Sequence, residues 1–238
     1  MMPQSSVYGS WPASGEIDIA ESRGNAPETY PMGSNLVTST LHWGPTPETD
    51  SFALTNGGFS AKRTLYSAGL HTFGLEWSEK YLFTWLDGRL RQVLFMNWDN
   101  VPGGSMWNYG GFNGMTVNGS VPTDPWVTGG VNAPFDQEFY LILNVAVGCT
   151  NGYFPYVSIF LLSLFVFSPL LFPEPLLSIS SADQAYRDGI GSKPWDDGSP
   201  NPMRDFWKSN STWLPTWGSG SDAGMTVKSV KMWQEGSC

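Results

Sequence analysis

Basic residues are scarce. Twelve lysines and arginines stand against twenty-one aspartates and glutamates, giving the 238-residue chain a formal charge of −9. No basic run offsets this, so nucleic acid and anionic membrane are excluded as electrostatic partners, while a neutral polysaccharide is compatible. Cysteine is nearly absent: Cys149 and Cys238 allow at most one disulfide, and their pairing stays open because Cys238 is the last residue. Long apolar runs are lacking too. The stretch 157–179 is cut by Pro169, Pro173 and Pro175 before it reaches the ~20 residues of a membrane span. No signal peptide opens the chain.

Aromatic residues are abundant, with twelve Trp, fourteen Phe and nine Tyr. Their flat faces cover pyranose rings, and their area also builds β cores. The length suits one all-β domain. Two glycosylation sequons, Asn118-Gly119-Ser120 and Asn210-Ser211-Thr212, suit a secreted glycoprotein, and the protein is expected to be extracellular.

Chemistry concentrates in Gly15-Glu16-Ile17-Asp18-Ile19-Ala20-Glu21-Ser22, where three carboxylates fall within six residues. Polar and apolar residues alternate from Glu16 to Ile19, the pattern of a half-buried strand, so Glu16 and Asp18 share a face. A regular strand would turn Glu21 away. One extra residue, a β-bulge between Asp18 and Glu21, would return it to the face of the other two. The carboxyls of Glu16 and Glu21 could then converge on about 5 to 5.5 Å, the separation in a retaining glycosidase. One would attack the anomeric carbon and the other would protonate the leaving oxygen, while Asp18 between them shares a proton with Glu16 and tunes both charges.

The run Tyr8-Gly9-Ser10-Trp11-Pro12-Ala13-Ser14-Gly15-Glu16-Ile17-Asp18-Ile19-Ala20-Glu21-Ser22-Arg23-Gly24-Asn25 resembles the signature of glycoside hydrolase family 16, in its laminarinase and β-1,3-glucan-binding branch. The resemblance continues in Ser39-Thr40-Leu41-His42-Trp43-Gly44, in Ala133-Pro134-Phe135-Asp136-Gln137 leading into 141–148, in Lys193-Pro194-Trp195 and in Pro215-Thr216-Trp217. It implies an all-β fold, an antiparallel, concanavalin-like jelly-roll sandwich with a glucan cleft, present here as a single partial domain over 1–238. It also implies that Glu16 is the nucleophile, Asp18 the assisting acid and Glu21 the general acid/base. Trp11 matches an aromatic that packs on sugar, and His42 a cleft histidine near the acid/base. The activity implied is endo-hydrolysis of β-glucan with retention, by a monomer that needs no cofactor and binds no metal at this site. A recognition protein that binds β-1,3-glucan without cleaving it is the alternative. Such proteins typically lose one or both glutamates, and this chain keeps them.

Two departures from the resembled pattern stand out. Several strands of both sheets should precede Met1, so the chain is read as truncated at its N-terminus, with strands meant to be central left as edges. The apolar segment 157–183 interrupts the match and is read as a non-native insert. Elsewhere Leu36–Trp43, Leu70–Trp77, Tyr81–Leu86, Leu90–Phe95 and Met225–Trp233 are expected as strands. Asp87-Gly88 is expected to form a two-residue type I′ hairpin. Phe139–Gly148 reads as a strand buried on both faces. The loop 97–134, with Trp98, Trp107, Tyr109 and Trp126, is expected to wall a sugar cleft.

Overall fold

The computed structural model describes residues 1–24, 33–148, 195–216 and 218–234. Within them β1 (Met2–Pro3) pairs with β8 (Phe139–Tyr140). A second sheet has the order β2 (Glu16–Glu21), β3 (Leu36–His42), β4 (Asn56–Ser60), and a third the order β5 (Phe73–Trp77), β6 (Tyr81–Leu86), β7 (Gln92–Asn97). All these pairings are antiparallel. Helices are short: α1 (Met106–Tyr109), α2 (Pro202–Lys208) and α3 (Asn210–Trp213). The antiparallel all-β class expected from the sequence is what the described residues adopt. No helix among them is long and apolar enough to cross a membrane.

The described residues fall in two compact units, one up to Ile142 and the other from Leu143 onward. In the first, period-two alternation sends Ile17 of β2 and Leu41 of β3 into the core, where they join Leu82, Leu94 and Met96 of β6 and β7. Leu82 stands directly opposite Met96 in the ladder, so one face of that pair is continuously apolar. The sheets come very close at Gly57 of β4: a Cβ there would lie 1.9 Å from the carbonyl oxygen of Val93 in β7. Only glycine fits that approach.

Several aromatic residues expected in a cleft wall build this core instead. Trp98 is fully buried and Trp107 and Trp126 nearly so. Trp98 stacks on Phe135 at 5.9 Å and donates its indole N–H to the Ser78 carbonyl oxygen, while Trp107 donates to Asn113 Oδ1 at 2.7 Å. Tyr109 stacks on buried Trp43 at 5.6 Å. Loop tryptophans have no sequence period to show which way they point; here each large ring is buried because its one polar atom finds a partner inside.

Other strand expectations need correction. Asp87 does take the left-handed conformation, at φ 60°, but the loop runs from Asp87 to Arg91 and the Arg91 N–H returns to the Gly88 carbonyl. The Asp87 carboxylate accepts from Thr72 N–H and Arg91 and contacts His71 Nδ1, which widens the turn beyond two residues. Of Phe139–Gly148 only the first two residues are strand; Leu141, Ile142, Leu143, Val145 and Val147 are exposed, so the run is not buried on both faces. Met225–Trp233 forms no strand, and its Met and Trp side chains lie open to solvent. The segment 157–183, Cys149 and Cys238 lie outside the described residues.

The second unit centres on Phe206, which meets Trp195 edge-on at 5.0 Å and stacks on Trp213 at 4.5 Å. Trp195, from the Lys193-Pro194-Trp195 motif, is buried there.

Candidate active site

Before the acidic strand, residues 8–15 fold into consecutive turns. Ala13 N–H donates to the Ser10 carbonyl, Gly15 N–H to the Pro12 carbonyl, and the Ser14 hydroxyl to the Gly9 carbonyl. Gly15 has φ +79° and a Cβ there would press on Phe135 and Pro134 at 3.1 to 3.2 Å, so glycine is required on two counts. The turn is anchored from a distant stretch of chain. Trp126 donates its indole N–H to the Ala13 carbonyl, Gln137 donates to the Ser14 carbonyl, and the Tyr8 hydroxyl donates to Asp136 at 2.8 Å. Two motifs more than a hundred residues apart are thereby one structure, which sets where Trp11 and Glu16 begin.

Register then places the acids. Glu16 faces His42, Asp18 faces Thr40 and Glu21 faces Thr38, with an irregularity between Asp18 and Glu21 where three steps on β2 match two on β3. That is the expected bulge. Residues directly opposite in a ladder point to the same side, and Thr38, Thr40 and His42 alternate on one side of β3. Glu16, Asp18 and Glu21 therefore share that side, while Ile17 and Leu41 fill the core behind it.

Each acid is only partly exposed. Burial pushes the carboxyl of Glu16 up, and the neighbouring charge of Asp18 adds to this; the Trp11 N–H and the His42 charge pull it back. Glu21 is also raised, first by burial and then by Asp18. Trp11 donates its indole N–H to Glu16 Oε2 at 2.7 Å and leaves its half-open ring, 39% exposed, beside the acids. That ring lies 5.8 Å from the imidazole of His42.

His42 is held from both sides. Its Nε2 lies 3.1 Å from Asp18 Oδ2 and its Nδ1 lies 2.6 Å from Asp50 Oδ2, while Phe52 stacks on the ring at 5.4 Å. Burial alone would lower its pKa, but the hydrogen bonds to Asp18 and Asp50 and their charges raise it to about 10. Asp50 was not among the sequence candidates. The only hint is its place at the end of Thr46-Pro47-Glu48-Thr49, a turn in which Thr46 and Thr49 cap one another.

One ligand atom each from Glu16, Asp18 and His42 lies within 4.8 Å of the others, the one such group found among the described residues. A cation there would compete with the ring proton that Nε2 of His42 directs at Asp18.

Scanned against models of protein families, the chain matches none. Over 98% of its length it is 37% identical to a β-1,3-glucan-binding protein of Penaeus monodon, spanning 53% of that protein. It is also 35% identical to a glucan endo-1,3-β-glucosidase of Cryptopygus antarcticus, over 62% of this chain and 43% of that one. The chain thus spans about half the length of these relatives. A solved Bacteroides ovatus mixed-linkage-glucan structure with bound product aligns with 40% of the chain and 38% of its own, at 22% identity and a TM-score of 0.32, a likeness too slight to bear on the fold.

Proposed function

We propose that the chain, which resembles the laminarinase and β-1,3-glucan-binding branch of glycoside hydrolase family 16, hydrolyses internal bonds of β-glucan, β-1,3 linkages foremost, with retention at the anomeric carbon. The observation that carries this reading is the bulge that sets Glu16, Asp18 and Glu21 on one face. Glu16 attacks the anomeric carbon through Oε1, its other oxygen being tied to the Trp11 N–H. Glu21, whose ionisation burial and Asp18 resist, gives its proton to the departing glycosidic oxygen. Water then attacks the glycosyl–Glu16 ester and returns a proton to Glu21, so the sugar is released with its original configuration and the site is restored. Trp11 offers its open ring to the sugar beside the cleavage point, and His42 steadies Asp18.

A second reading is favoured by the Penaeus relative, which is named for binding and aligns over nearly the whole chain. In it the same face holds β-1,3-glucan without cleaving it, outside the cell.

Incubation with laminarin separates the two. The hydrolase releases shorter glucans whose new reducing ends appear first as the β anomer by proton NMR. Glu16→Gln should lose at least about a thousandfold in turnover while still retaining laminarin on affinity gels. Retention of laminarin without release of sugar by the unsubstituted chain supports the second reading. Hydrolysis that survives Glu16→Gln removes the nucleophile role from Glu16.

A further inference from the structure

A neutral imidazole has one N–H donor and one lone pair. Both ring nitrogens of His42 stand against carboxylate oxygens, Asp18 Oδ2 at 3.1 Å and Asp50 Oδ2 at 2.6 Å. With a single ring proton, one of those contacts would set two acceptors against each other, so the geometry requires both nitrogens to donate. Asp50 cannot relax from its position, because its other oxygen accepts the backbone N–H groups of Trp43 and Phe52. Its loop is fixed in turn: Ser51 N–H donates to the Trp43 carbonyl at 2.8 Å, and a Cβ on Gly44 would strike the Thr49 carbonyl oxygen at 2.5 Å.

We infer that Asp50 is a positioning residue of the acid cluster: it holds the second nitrogen of His42 and so fixes the ring as a doubly protonated clamp on Asp18. The inference rests on the catalytic reading for its consequence, though not for its geometry. Asp18 is kept as an acceptor, and its negative charge between the two glutamates resists their ionisation. The charged groups around the ring are Asp18 and Asp50 in contact, with Glu16 across the ladder and Glu21 further along β2.

Asp50→Asn removes the charge and keeps the shape. The amide oxygen still accepts from Trp43 and Phe52, and the amide nitrogen now donates to Nδ1, leaving the neutral ring with one proton on Nε2 facing Asp18. The chain has two histidines, so the His42 ring signals can be followed by NMR with pH, those of His71 being identified by His71→Gln. In the unsubstituted chain His42 should remain protonated beyond pH 8. In Asp50→Asn the midpoint should fall by more than about one pH unit. Hydrolysis of laminarin should fall about tenfold or more. A His42 that titrates near 6.5 in the unsubstituted chain overturns the inference whether or not the variant folds. An unchanged midpoint in a folded Asp50→Asn overturns it too. If His42 behaves as expected while laminarin is untouched, the clamp stands and the hydrolase reading falls.

Discussion

On the catalytic reading Glu21 delivers a proton near neutrality, so it has to be held against its own ionisation, at a cost to the fold. Burial first, then the charge of Asp18, raise it above the ordinary 4.5. The folded chain thus binds this proton more tightly than the unfolded chain does, and stability falls as pH rises from about 4.5 through the raised value. Glutamine carries no such penalty. Glu21→Gln should therefore melt about 2 °C higher than the unsubstituted chain at pH 7, and the gain should vanish below pH 4.5, where Glu21 is neutral in both states. On the catalytic reading, laminarin hydrolysis should be lost in the same variant. Thermal unfolding at pH 4 and pH 7 decides the matter: a lower melting point at pH 7 would mean that the Glu21 charge supports the fold. Asp50 makes the complementary point at this scale. It carries three hydrogen-bonding contacts yet has no neighbour in sequence that marks it, because its partner His42 lies across a turn.

At the scale of elements, the closest approach of the two three-stranded sheets is set by Gly57, whose missing side chain admits the Val93 backbone. Backbone cannot swing aside as a side chain can, so Gly57→Ala must push β4 from β7 or unpair it from β3. A loss of about 3 kcal/mol in urea unfolding is expected. Gly88→Ala, with nothing within 4 Å of its Cβ and no left-handed backbone, should change the midpoint little. Equal effects in the two would show that sheet spacing is not set at Gly57. The sequence makes β2 legible, bulge included, because the spacing of three acids and the alternation with Ile17 and Ile19 impose both a period and a break in it. Tyr81–Leu86 is legible from its aromatic and β-branched residues and has the expected bounds. Gly57 is not legible: a Gly-Gly pair inside a strand does not say which backbone approaches it. Nor are the tryptophans of 97–134, whose burial depends on acceptors such as the Ser78 carbonyl, many residues away. The turn after Leu86 was placed but mis-sized, since His71, Thr72 and Arg91 all draw on Asp87 from outside the dipeptide.

Across the whole molecule, two properties pull solubility in opposite directions. A formal charge of −9 keeps copies apart. Against it stands the run after β8, where Leu141, Ile142, Leu143, Val145 and Val147 are 38–59% exposed on backbone that belongs to no sheet. A run of exposed apolar side chains outside any sheet offers another chain apolar area to bury. Charge acts only over about 8 Å at physiological salt, whereas apolar contact needs no range once copies collide, so the patch should prevail. The chain should then bind hydrophobic dyes and scatter light increasingly with concentration. Joint substitution of Leu143→Lys and Val145→Lys separates the two forces, because it takes the formal charge from −9 to −7 and so weakens repulsion while interrupting the patch. If the patch governs, scattering falls severalfold despite the smaller charge. If net charge governs, the same variant scatters more, and the exposed run is then not what drives association.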